Sequence, residues 1–229
     1  MPPSRRLGFA GEFKIMTSKT ISLNQLVAWL NKFSELVSAQ CNYLTDLDAA
    51  IGDADHGTNM VRGMTAVMNA ITAAPPSTIG DLFKVVGMTL VSTVGGASGP
   101  LYGTFFLRMG VTSGAVSELN GAQLLMALNA GMEGVVARGK PLANDKTLFD
   151  ALAPALHAFA ISLNSYHSFS DAALAAQMAA AVGRDATASL IARKGRASYL
   201  GERSIGHIDP GSASTALLFE ALAEVLSGE

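Results

Sequence analysis

The sequence predicts an all-α protein, an eight-helix antiparallel barrel or bundle with a polar site at one end. Three observations carry this. Apolar residues recur at helical spacing in segment after segment, capping residues and prolines punctuate those segments, and no stretch alternates as a strand would. Hairpin signals are missing, and most joints are short, which suits neighbouring helices packed antiparallel. At 49% hydrophobic and 15% charged over 229 residues, the chain can enclose a large core.

Ser22-Leu-Asn-Gln25 reads as a capping box, and Leu26, Val27, Leu30, Phe33 and Val37 follow on one helical face. This first helix is expected to reach about Leu47 and to deliver an acidic loop. Thr58 or Asn59 caps a second helix that must stop before Pro75 and Pro76. A third spans roughly Thr78 to Val94, and a fourth starts after Ser98-Gly-Pro100, proline suiting a first turn. Asn120 or Gly121 opens a fifth, ending near Gly139. Thr147 opens a sixth, bent at Pro154. Ser170-Asp171 begins an Ala-rich seventh running toward Arg193 and loosened at Gly183. Asp209-Pro-Gly-Ser212 starts the eighth, which ends near Leu226.

Composition removes several function classes. A net charge of −2 and a pI near 6.1 provide no basic field for nucleic acid. Cys41 is alone, so no internal disulfide forms, which suits a reducing cytoplasm. No apolar run reaches the 18 residues or so of a membrane span, and Ala151 to Leu163 is interrupted by Pro154 and His157. No hydrophobic signal core follows Arg5 and Arg6. Residues 1–18 read as a flexible extension, and 19–229 as one domain.

The chemistry centres on Asp48 to Gly57, where Asp48, Asp53 and Asp55 fall within eight residues beside Gly52 and Gly57. Two unit charges about 4 Å apart repel by roughly 4 kcal/mol at an effective dielectric near 20, so converging carboxylates need a cation or protons. Oxygen ligands without cysteine favour Mg²⁺ or Ca²⁺ over zinc. An EF-hand starting at Asp53 fails, because Gly57, Thr58 and Met64 stand where the loop needs an oxygen ligand, Gly and Glu. The competing reading is a polar interhelical turn that uses Gly and Asp for their backbone habits.

Three further joints are polar. Val94-Gly-Gly-Ala-Ser-Gly-Pro100 leads a glycine-rich backbone into a helix start, which suits a phosphate, although it matches neither a Walker A nor a Rossmann pattern. Gly139 to Thr147 precedes another helix start. Ala192 to Gly211 carries Arg193, Lys194, Arg196 and Arg203 against Glu202; Arg suits forked phosphate recognition, whereas Arg193 and Lys194 also read as a solvated helix end. In an up-and-down bundle the joints after helices one, three, five and seven share one end, and those are these four joints. Metal ligands, a backbone phosphate clamp and a cationic neutraliser are the parts phosphoryl transfer needs.

The chain resembles the nucleotide-binding L subunit of dihydroxyacetone kinase. The resemblance rests on Asp48-x4-Gly-Asp-x-Asp-His-Gly57, Gly-Gly-Ala-Ser-Gly-Pro100, Asp145-Lys-Thr147 and the long run from Gly195 to Gly211, and covers residue 22 to the end. It implies two Mg²⁺ ions on Asp48, Asp53 and Asp55 and no further catalytic side chain on this chain. It implies ADP or ATP framed by His56, Gly57, Thr58, Asn59, Ala97, Ser98, Gly139, Leu148, Arg196, Asp209, Pro210 and Gly211. Asn144 stands where the family has Gly, and Leu148 where a Met is familiar. The family's covalent substrate histidine belongs to a separate K subunit, so His207 is expected to be structural.

The implied activity is a phosphotransferase-system-dependent dihydroxyacetone kinase. Phosphate passes from a phosphohistidine of an M subunit through bound ADP to dihydroxyacetone on K. Two alternatives stay open at this point. One is the L component of a split ATP-dependent kinase for dihydroxyacetone or erythrulose; the other is a nucleotide-sensing partner of a transcription regulator.

Overall fold

The computed structural model describes residues 20–164 and 168–227. The extension expected at 1–18 lies outside the described residues. Among these, the helices are α1 (Leu23–Ala39), α2 (Cys41–Ile51), α3 (His56–Ala73), α4 (Ile79–Thr93), α5 (Ser98–Ser113), α6 (Gly121–Gly139), α7 (Phe149–Asn164), α8 (Phe169–Ala186) and α9 (Pro210–Ser227). Two three-residue strands, β1 (Thr20–Ser22) and β2 (Glu118–Asn120), pair antiparallel with Ile21 opposite Leu119. This small sheet leaves the all-α class intact. These segments are too short to show alternation; they pair because the chain enters α1 and α6 side by side.

Helix α1 packs on α3, each helix from α3 to α9 packs on the next, and α9 returns to α1. The ring has the eight members expected. The extra helix arises because the first expected segment is broken at Gln40, whose N–H turns back to the carbonyls of Leu36 and Ser38. The re-aimed α2 lies across the start of α3, where a Cβ on Gly57 would fall 2.1 Å from the Cys41 carbonyl oxygen. Only glycine permits that approach.

Caps at α1 and α6 are as read: Ser22 with Gln25, and Asn120 with Gln123, form reciprocal capping boxes. Helix α8 begins one residue before Ser170, capped by Ser168 with Asp171, and ends at Ala186 rather than near Arg193. Past its end the chain tightens into a 3₁₀ turn at Thr187–Ser189, closed by the Leu190 N–H on the Thr187 carbonyl. The Thr187 carbonyl accepts from Lys146 Nζ, and the Thr187 hydroxyl donates to the Arg184 carbonyl. Gly183 does not loosen the helix; a Cβ there would lie 2.2 Å from the Asp150 carbonyl oxygen, so it is a close-packing position against α7.

The core is aromatic at its centre. Trp29 of α1 meets Phe83 of α4 at 6.4 Å and Phe106 of α5 at 6.2 Å, and donates its indole N–H to the Leu218 carbonyl of α9 at 2.8 Å. That bond satisfies the buried polar atom and locks α1 to α9. No helix among the described residues is long and apolar enough to cross a membrane.

Candidate functional site

The acidic loop is built on a helix end. Helix α2 continues one turn past Leu47, so Asp48 sits on the helix and not in the loop. Its Oδ2 accepts the N–H groups of Asp55 at 2.8 Å and His56 at 3.2 Å, which folds residues 52–55 back over the end of α2. Gly52 makes this possible, since a Cβ there would lie 2.0 Å from Asp48 Oδ1. Asp48, Asp53 and Asp55 each present an oxygen, and these lie within 4.8 Å of one another. An oxygen-only donor set at that separation fits a hard cation such as Mg²⁺, with the remaining positions left for water or phosphate. Asp53 is also ion-paired with the Arg196 guanidinium.

Helix α3 starts at His56; the His56 N–H is taken by Asp48 Oδ2 and the Asn59 N–H by the Asp55 carbonyl, which leaves those of Gly57 and Thr58 without an intrahelical partner. The His56 side chain points the other way. Its Nε2 is 2.9 Å from Ser214 Oγ and its Nδ1 is 3.2 Å from Ser98 Oγ, and the Tyr102 hydroxyl bridges Ser214 and Thr215 at 2.8 and 2.9 Å. Burial lowers the imidazole to about 4, against the pull of Asp48 and Asp55, so the ring is neutral at physiological pH. His56 therefore ties the starts of α3 and α5 to α9.

Asn59 lies one turn into α3, and its amide is wedged against Gly95, where a Cβ would be 3.1 Å from Nδ2. Arg62 donates to Asn59 Oδ1 at 2.6 Å and to the Thr93 carbonyl at 2.9 Å. Gly96 takes a positive φ of 64°, turning the chain so that α5 opens at Ser98 with Ala97 as its N-cap.

The other two joints are knotted by Lys146. Its buried ammonium donates to the carbonyls of Thr187 (2.8 Å), Leu190 (3.2 Å), Ser204 (2.7 Å) and His207 (2.5 Å). Burial lowers its pKa, an effect opposed by Asp209. One side chain thus shapes the whole segment that carries Arg196 and Asp209. His207 contributes through its backbone, as a structural residue. Asn144 adopts φ 68°, the left-handed region that glycine favours and asparagine tolerates, so its place before Asp145 is sterically sound. Asp209 accepts the Ser212 N–H at 2.6 Å, and enclosure of its carboxyl pushes it up to about 7.

These joints line a cleft of about 210 Å³. Of the expected residues, Asp48, Asp53, Asp55, His56, Asn59, Ala97, Ser98, Leu148, Arg196, Asp209, Pro210 and Gly211 line it. Gly57 and Thr58 do not: Gly57 is packed on α2, and Thr58 donates its hydroxyl to the Asp55 carbonyl. Gly139 lies in an adjoining groove with Val135, Arg138 and Pro141, which shares Ala97, Leu101 and Thr147 with the cleft. Sequence reasoning missed Arg62, Ser214 and the anchoring role of Lys146. Only Ser214, a hydroxyl within the apolar run of α9, carried a signal.

The DAK2 domain of the Dak2 family matches residues 50–224. The chain belongs to that family. It is 43% identical over 204 residues to the "PEP-dependent dihydroxyacetone kinase, ADP-binding subunit DhaL" of Escherichia coli, covering 89% of this chain and 97% of that one. It is 44% identical over 207 residues to the PTS-dependent counterpart of Lactococcus lactis, covering 90% and 100%. It is also 29% identical to the L-erythrulose kinase of Pectobacterium atrosepticum, over 96% of this chain but 38% of that one. The fold is similar to the crystal structure of the C. freundii dihydroxyacetone kinase in complex with AMP-PNP and Mg²⁺, with a TM-score of 0.68 at 26% identity. That match covers 98% of this chain and 38% of the other.

Proposed function

We propose that this chain is the ADP-binding subunit of a dihydroxyacetone kinase that takes its phosphate from phosphoenolpyruvate through the phosphotransferase system. The observation that carries the reading is the convergence of three carboxylates, two helix N-termini and Arg196 on one cleft. Support also comes from relatives of that name that match nearly end to end. Asp48, Asp53 and Asp55 hold Mg²⁺, two ions in this reading, while the starts of α3 and α5 bind phosphate oxygens through backbone N–H groups. When bound, Mg²⁺ neutralises charge on the phosphates. The groove at Gly139 takes the base, its apolar lining suiting a flat ring.

This division of labour leaves the phosphate acceptor on a K subunit and the donor phosphohistidine on an M subunit, all three acting in the cytoplasm. The chain's own residues bind, orient and neutralise. Gel filtration without added nucleotide, followed by identification of what stays bound, tests the reading. Stoichiometric ADP with Mg²⁺ supports ADP as a fixed cofactor. A protein that binds neither ADP nor ATP refutes the nucleotide site.

The relationship to an L-erythrulose kinase favours a second reading, in which the cleft exchanges ATP freely and a partner selects a ketose. Protein that emerges empty yet binds ATP supports this alternative.

A further inference from the structure

Arg62 lies outside every stretch that sequence reasoning singled out, yet it joins two walls of the cleft. Its guanidinium donates from α3 to Asn59 Oδ1 on the same helix and to the Thr93 carbonyl at the end of α4. Thr93 leads directly into the Gly95-Gly96 turn before α5. A guanidinium can only donate, so the amide oxygen of Asn59 must face Arg62 and its NH₂ must face away. Among the described residues no hydrogen bond occupies that NH₂, and Asn59 lines the cleft.

We propose that Arg62 is a positioning residue for phosphate binding: anchored on the Thr93 carbonyl, it fixes the Asn59 amide with both N–H donors available to the cleft. The proposal rests on the nucleotide reading above. Without Arg62 the amide is free to flip and present its oxygen, which repels a phosphate oxygen. An amide held one way round needs no reorganisation when the anion arrives, which is how preorganised donors gain their effect. Arg62 itself is largely exposed, so its removal leaves the core packing untouched.

The test is a double-mutant cycle on the full chain, titrated with Mg²⁺ and ADP and, separately, with adenosine. Arg62→Ala is expected to weaken ADP roughly 5- to 10-fold, the size of one lost hydrogen bond. Adenosine should change by less than about 2-fold, as for independent sites. In an Asn59→Ala background the same change should have no further effect on ADP, because Arg62 acts through that amide. Arg62→Lys, able to reach one acceptor of the two, should recover part of the loss. Equal losses in both backgrounds, or an equal loss for adenosine, would overturn the assignment. If the unsubstituted protein fails to bind ADP, the nucleotide reading falls and this one with it. That outcome is seen before any variant is made.

Discussion

The Arg196 guanidinium is ion-paired with Asp53, so a cationic side chain rests on one of the three carboxylates suited to hold a metal. Both partners are more than a third exposed, and such pairs contribute little to stability. The pair therefore matters for binding. Arg196→Gln should raise the affinity for Mg²⁺ alone by about 2- to 5-fold, since a competitor for Asp53 is gone. The same variant should weaken binding of ADP with Mg²⁺, because phosphate loses its neutraliser. Calorimetric titration with each ligand checks both signs; a fall in Mg²⁺ affinity would refute the competition.

Asp53→Asn should abolish metal-dependent phosphoryl transfer while the helical circular dichroism stays unchanged, because Asp53 is exposed and supports no core contact. Normal turnover in that variant would sink the metal assignment.

Gly52→Ala tests the same site through sterics. The added methyl would lie 2.0 Å from Asp48 Oδ1, so the carboxylate must leave its place. Mg²⁺ affinity should drop by about tenfold or more, the loss expected when a ligand is displaced. The thermal midpoint should move only slightly, and titration beside a melting curve distinguishes the two effects.

The Asp209 carboxyl ionises at about 7 in the folded chain, against an ordinary value of 3.8. Between those values the folded state holds a proton that the unfolded chain has released. Its contribution therefore lowers stability as pH climbs from 3.8 to about 7, and changes no further above that. Asp209→Asn keeps the acceptor for Ser212 and removes the titration. Relative to the unsubstituted protein, this variant should gain stability as pH rises through that window. Urea midpoints at a series of pH values measure the difference, and a constant difference across the series would contradict the assignment.

Lys146→Met retains the stem and deletes the donor to four carbonyls. The loss should be on the order of 3 kcal/mol, since buried acceptors are left without partners. It should also open the 187–207 segment to limited proteolysis and weaken ADP. Unchanged proteolysis with normal ADP affinity would show that the segment keeps its shape without Lys146.

Much of this protein was legible without coordinates. Local rules sufficed for the capping boxes at Ser22 and Asn120, for the stop before Pro75, and for the four polar joints at one end. The carboxylates Asp48, Asp53 and Asp55 were readable because three acids that close in sequence cannot be far apart in space. What local rules could not supply was direction. His56 sits in the acidic motif, yet its ring turns inward to Ser98 and Ser214. Gly57 serves helix packing, and past Ala186 the chain tightens into a 3₁₀ turn whose Thr187 carbonyl also accepts from Lys146.

The sequence alone determined the all-α class, most of the helix starts and the chemical character of the site, since periodicity, caps and charge act over a few residues. Only the tertiary structure decided which donors face the cleft. Arg62 with Asn59, Lys146 with four distant carbonyls, and Arg196 with Asp53 depend on elements that meet only after the ring closes. Each of those contacts is set by the packing of whole helices against one another.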